Sequence, residues 1–185
     1  MDANTLARCT GARIDRAQRF ADALTSAMDV YEINTPARIG MFLANVGHET
    51  MGLKFVEELG NTEYFMRYEG RRDLGNVKPG DGPRFHGRGL LQTTGRANYA
   101  ALRDRLRARG VDCPDFEADP EALELPEWAS LSACDYVGMR NLNAKADAGD
   151  FLAYCVGVNG RNKATGLPNG WSDRTDLWVA AQKAL

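Results

Sequence analysis

A single, mainly helical domain is what this sequence predicts, and three observations lead there. The chain has 185 residues, 44% hydrophobic and 26% charged, enough to bury one core without a second domain. Apolar residues recur at three-and-four spacing through much of its length, the mark of helices with one buried face. Between residues 59 and 89 that pattern stops, and seven glycines and two prolines imply turns with short strands.

The first periodic stretch places Ile14, Ala17, Phe20, Ala21, Leu24 and Met28 on one stripe, predicting a helix over 13–28. In "NTPARIGMFLANVGHE", Thr35 is placed to cap a helix and Pro36 to occupy its first turn. Ile39, Phe42, Leu43 and Val46 then form its apolar stripe, and the helix should run to about Glu49. Gly52 should break it, with Leu53, Phe55 and Val56 giving an extended return. After the glycine-rich segment, helical patterning resumes near Arg96 with Tyr99, Leu102 and Leu106, and Gly110 suits a C-terminal cap. Further helices are expected over 126–140, 150–156 and from Asp173 to the end.

Several classes of function are disfavoured. A formal net charge of −2 gives no general affinity for nucleic acid. The longest apolar runs, such as "MFLANV" at 41–46, are too short to cross a bilayer, and no export signal is visible. Cys9, Cys113, Cys134 and Cys155 form no C-x-x-C pair, so they are expected to be reduced and mostly buried, with Cys134 and Cys155 inert on apolar helical stretches. The arginines of "RDRLRARG" are expected on a solvated helix face, and Trp128, Trp171 and Trp178 in the packing.

"VGHETMGLKFVEELG" carries His48, Glu49, Glu57 and Glu58. A zinc protease needs a second histidine four residues after the first, but position 52 is Gly, and the chain's one other histidine is His86. No metal or organic cofactor is implied. No serine lies in a G-x-S-x-G setting and no cysteine lies near either histidine in sequence, which disfavours a covalent hydrolase. Paired carboxylates remain. Glu49 sits where its helix stripe meets solvent, so partial enclosure should raise its proton affinity and suit it to donate a proton. Glu58 can face it only if the chain turns back, and a separation of roughly 6.5–9.5 Å would leave room for an attacking water. Against this stands the plain alternative that Glu57 and Glu58 form a solvated turn.

A second motif, "GDGPRFHGRGLLQTTGRANY", adds Gly87 and Gly89 for close approach and Gln92, Thr93, Thr94 and Asn98 as neutral hydrogen-bonding groups suited to sugars. Taken together and in order, "FLANVGHETMGLKFVEE", "FHGRGLLQTTGRANY", "LNAKADAGDF" and "CVGVNGRN" resemble the glycoside hydrolase family 19 chitinases, especially their short bacteriophage endolysin relatives. The resemblance covers about residues 36–178.

What the resemblance implies is a lysozyme-like, mainly α (α+β) single catalytic domain over 1–185, with two lobes, a central substrate groove and a small β-region. It makes Glu49 the general acid and Glu58 the general base of an inverting glycosidase, with Glu69 as the second candidate for the base. Thr94 would help hold the attacking water, while Gln92, Asn98 and Asn159 would line sugar subsites. Arg174 would line the groove or support the second carboxylate, keeping Glu58 ionised, and His48 would orient and pack near the acid. Peptidoglycan is the preferred substrate and chitin the alternative; a lytic transglycosylase or a non-catalytic carbohydrate-binding module are lesser ones. The expected protein is a monomer without nucleic-acid partners or stable membrane insertion. As an endolysin it would be made in the host cytoplasm and released, by a holin, to the periplasmic wall.

Overall fold

The computed structural model describes all residues from Met1 to Leu185 and contains ten α-helices. In chain order they are α1 (Ala3–Thr10), α2 (Ile14–Val30), α3 (Pro36–Thr50), α4 (Thr62–Phe65) and α5 (Asp81–Arg84). They continue with α6 (Arg96–Ala108), α7 (Pro126–Met139), α8 (Leu142–Asp147), α9 (Phe151–Asn159) and α10 (Trp171–Ala184). One continuous core of 36 buried residues runs from Leu6 to Ala181, which makes the chain one packed unit. α3 is its central helix, packed against α1, α8, α9 and α10, while α2 lies against α7.

The local signals explain α3. The Thr35 hydroxyl accepts a hydrogen bond from the Arg38 N–H, and Pro36 occupies the first turn, where its missing N–H costs nothing. The helix stops after Thr50 because Met51, Gly52 and Leu53 all take the left-handed conformation, with φ of 51°, 67° and 55°. The return is therefore a left-handed turn through buried Leu53, and extended pairing begins only at Val56 and Glu57. Gly47 has a second reason to be glycine: a Cβ there would lie 2.4 Å from the Thr10 carbonyl oxygen, so α1 crosses α3 at backbone contact.

Two helices, α1 and α8, were not expected from the periodicity; both are short, and α1 depends on the Asp2 side chain capping the Thr5 N–H. The segment 59–89 forms α4, α5 and two 3₁₀ turns rather than strands and open turns. Side chains impose this. Asn61 caps Tyr64, the Asp81 carboxylate accepts from the Val77 and Lys78 N–H groups, and Glu69 accepts from Gly80 and Gly82 at 2.7 Å each.

The small β-region amounts to two antiparallel single-residue bridges, Glu57 with Arg88 and Arg88 with Thr93. Glu58 N–H donates to the Gly87 carbonyl and Gly89 N–H to that of Val56, while Arg88 and Thr93 exchange a backbone pair. Arg88 anchors the region from beneath, its buried guanidinium bound to Glu124 at 2.8 Å and to the Arg84 carbonyl.

Candidate active site

The β-bridges bring Glu58 onto the "HGRGLLQTT" turn. Its Oε2 accepts from the Gly87 N–H at 3.1 Å and its Oε1 from the Tyr68 hydroxyl at 2.9 Å, with the Arg67 guanidinium 3.9 Å away. Both carboxylate oxygens thus act as acceptors, the state a base must occupy. Gly87 is where the groups converge: a Cβ built there would lie 2.4 Å from Gln92 Oε1, 3.2 Å from Glu58 Oε2 and 3.2 Å from Thr94 Oγ1. Gln92 is held in a left-handed conformation (φ 56°) with its amide bonded to the Gly89 carbonyl, and Asn98 donates to the Thr94 carbonyl at 2.7 Å. Gln92, Thr94 and Asn98 line a cleft of about 220 Å³, closed on the other side by Ser132, Tyr136 and Arg140 of the α7 region.

Glu49 stands at the last turn of α3, partly exposed. Its Oε1 accepts from the Arg174 guanidinium and from Asn159 Nδ2 at 3.5 Å, while Oε2 has no protein partner. Oε2 is therefore the oxygen available to carry and deliver a proton. Burial raises the Tyr136 phenol above its ordinary range, against an opposing pull from Arg140, and the nearby Glu49 carboxyl adds a smaller push. The Tyr136 hydroxyl donates to the Val158 carbonyl at 2.9 Å, tying α7 to α9 one residue before Asn159.

Arg174 requires a correction. Expected beside Glu58, it is instead fully buried against Glu49, with Nη1 on Asn45 Oδ1 at 2.6 Å and Nε on the Asn169 carbonyl at 2.9 Å. The reason is geometric: α10 packs on α3, so a residue in its first turn meets the end of α3 and not the β-region. Tyr68, Arg67 and the Gly87 N–H supply what Arg174 was expected to give Glu58. Glu69, the second candidate for the base, has both oxygens engaged by backbone N–H groups and serves the loop.

His48 faces α10. Its Nδ1 lies 2.6 Å from Asp173 Oδ2 and its ring rests on Gly170, where a Cβ would fall 2.0 Å from the imidazole. It packs against α10 and does not line the cleft. His86 stacks on Phe65 with ring centroids 4.0 Å apart, bonds Pro83 and Glu57, and fixes Glu57 away from its neighbour.

Sequence reasoning missed Asn45, Tyr68 and Tyr136. Asn45 left a signal: it is a polar residue one turn before Glu49 in the otherwise apolar run from Ile39 to Val46. Tyr68 and Tyr136 left none, since a tyrosine in a loop or on a helix is ordinary. In the basic stretch Arg107 and Arg109 are exposed as expected, whereas Arg103 and Arg105 are half-buried in ion pairs, Arg103 with Asp104, Asp115 and Glu117 and Arg105 with buried Asp135. The four cysteines are free and buried, and Trp128, Trp171 and Trp178 pack against the core.

No family model matches the chain. It is similar to a glycosyl hydrolase family 19 domain-containing protein of Haemophilus influenzae, 36% identical over 94 residues that cover 36% of this chain and 47% of that protein. The match thus spans about half the length of that curated relative. Among solved structures, chitinase C from Streptomyces griseus HUT6037 superposes with a TM-score of 0.77 at 23% identity, covering 99% of this chain and 75% of that one. A bacterial family 19 chitinase superposes at 0.69 with 22% identity, covering 99% and 93%. The likeness extends over nearly the whole chain, and its fold is the helical, lysozyme-like fold of these chitinases.

Proposed function

We propose that this chain is a glycoside hydrolase that cuts β-1,4-linked N-acetylhexosamine strands with inversion, Glu49 acting as general acid and Glu58 as general base. The observation that carries the reading is the asymmetry of the two carboxylates. Glu49 has one oxygen held by Arg174 and Asn159 and the other free, whereas Glu58 has both oxygens accepting, beside Gln92 and Thr94. In the proposed reaction, Glu49 Oε2 gives its proton to the glycosidic oxygen. A water lodged near Thr94 and Gln92 loses its proton to Glu58 and attacks the anomeric carbon from the opposite face. Thr94 Oγ1 and the Gln92 amide position that water, and Asn98 and Asn159 meet hydroxyl or acetamido groups of the bound sugars.

The substrate we favour is bacterial peptidoglycan, with the protein acting as an endolysin that is made in the host cytoplasm, released by a holin, and works as a monomer on the periplasmic wall. A chitinase is the second reading, favoured by the chitinase folds on which the chain superposes. The deciding experiment is mass spectrometry of fragments released from purified Gram-negative peptidoglycan and from chitin oligomers. One water gained per cut, with intact peptides, supports the hydrolase; anhydro-sugar ends overturn the two-carboxylate mechanism in favour of a transglycosylase. Glu49→Gln and Glu58→Gln should each lower kcat by about 10²–10⁴-fold; an unchanged rate in either would remove that residue from the chemistry.

A further inference from the structure

The cleft does not end at Arg140. It shares Arg105, Asp135 and Met139 with a second cavity of about 320 Å³, which in turn shares Arg109 and Gly138 with a third of about 440 Å³ beside Tyr31 and Arg38. The three cavities adjoin through these shared residues, in a row from the sugar-lining residues over the α6–α7 seam. Their charges are unequal in availability. Asp135 is bound by Arg105 and by the Tyr31 hydroxyl, and Asp147 by Arg38, so two of the three lining carboxylates are engaged; the third, Glu32, lies in the far cavity with Arg38, away from the cleft end.

Arg109 and Arg140 have no carboxylate partner. Each lies across a tyrosine, Arg109 with Cζ 4.4 Å from the Tyr31 ring centroid and Arg140 4.6 Å from that of Tyr136. Such stacking holds the guanidinium plane while leaving its in-plane N–H donors free, so less freedom is lost when an anion binds. Two presented guanidinia beside these cavities, on a protein whose net charge is negative, are a local feature and not a general basic surface.

We propose that this row of cavities, with Arg140 at its cleft end and Arg109 beyond, binds the carboxylates of an acidic peptide carried by the glycan strand, and so selects peptide-bearing over plain N-acetylhexosamine polymers. The proposal rests on the glycosidase reading of the adjoining cleft and names its substrate class. A neutral chitin chain offers these cations hydrogen-bond acceptors but no carboxylate. A muramyl residue seated in the cleft carries a lactyl-linked peptide whose carboxylates match them in charge and in bidentate geometry.

The test measures kcat/KM for the wild-type chain and the Arg109→Gln/Arg140→Gln double variant on solubilised peptidoglycan strands, before and after an amidase has stripped their peptides, with chitin oligomers as the carboxylate-free control because stripping leaves one lactyl carboxylate on each muramyl residue. Binding of a free acidic stem tetrapeptide is followed in parallel by NMR titration. The double variant should lose at least about tenfold more on peptide-bearing than on stripped strands, chiefly in KM, and the wild-type preference should shrink as salt is raised. Peptide-induced shifts should centre on α6 and α7 and vanish in the variant. Equal loss on both kinds of strand, or none on the peptide-bearing one, overturns the peptide site and leaves the glycosidase reading standing. If the wild type cuts no glycan at all, the glycosidase reading fails, and the titration alone decides whether the two arginines bind peptide.

Discussion

Gly87 concentrates the chemistry of the site at one residue. Its N–H binds Glu58, its carbonyl accepts from the Glu58 N–H, and its missing side chain is the space in which Gln92 and Thr94 approach the carboxylate. Gly87→Ala would put a methyl group 2.4 Å from Gln92 Oε1, so Gln92 must swing away from Glu58. Because displacements of about 1 Å in an active site cost on the order of a hundredfold, kcat should fall by that order while the far-ultraviolet circular dichroism stays that of the wild type. Steady-state kinetics on glycan strands checks this, and a wild-type kcat would show that Gln92 has no positional role. The glycine itself was legible in the sequence as a place of close approach. What approaches it was not, because the partners come from 58, 92 and 94 through a β-bridge whose register no periodicity reports.

Among the elements, α3 and α10 depend on one buried contact. Arg174 satisfies Asn45, Glu49 and the Asn169 carbonyl together, so it joins the end of α3 to the loop before α10. Arg174→Ala should cost about 3–5 kcal/mol, since it leaves buried polar groups and Glu49 without their cation, and urea unfolding will read the loss. The fall in activity should exceed what the residual folded fraction explains.

The loop that carries Tyr68 to Glu58 has a similar clasp. Asp81 is buried, and the Arg96 guanidinium holds its carboxyl below the usual carboxylate range, helped by the Lys78 and Val77 N–H groups. A folded-state pKa below the unfolded value of about 3.9 contributes stability that is complete above that pH and disappears as pH falls through the folded value. Wild-type stability should therefore decline below about pH 4, and Asp81→Asn should lie lower at pH 7 and decline less steeply in acid. Thermal melts between pH 2 and 7 provide the comparison; parallel curves would mean that Asp81 does not link stability to pH.

At the scale of the molecule, the single core shields all four thiols. Burial pushes the Cys9 and Cys155 thiols up to about 11 and that of Cys134 well above its ordinary value, so almost no thiolate is present near neutrality. Ellman's reagent at pH 7.5 should label none of the four in the folded protein and all four in urea, with a rate in native buffer set by unfolding. Fast labelling of one thiol would reveal a cavity route to it.

The sequence by itself determined the helices that carry strong periodicity and terminal signals: α2, α3, α6, α7 and α9 begin within two residues of their expected starts. It also marked the acidic motif and the glycine-rich one, because helix stripes, caps and glycines act over three or four residues, a range a linear reading spans. Only the tertiary structure decided which cation meets which carboxylate. Arg174 is 125 residues from Glu49 in sequence and reaches it because α10 packs on α3; Tyr68 reaches Glu58 because Asp81 and Glu69 fold the intervening loop. Ion pairs and hydrogen bonds act over a few ångströms of space, so their partners follow from packing and not from spacing along the chain.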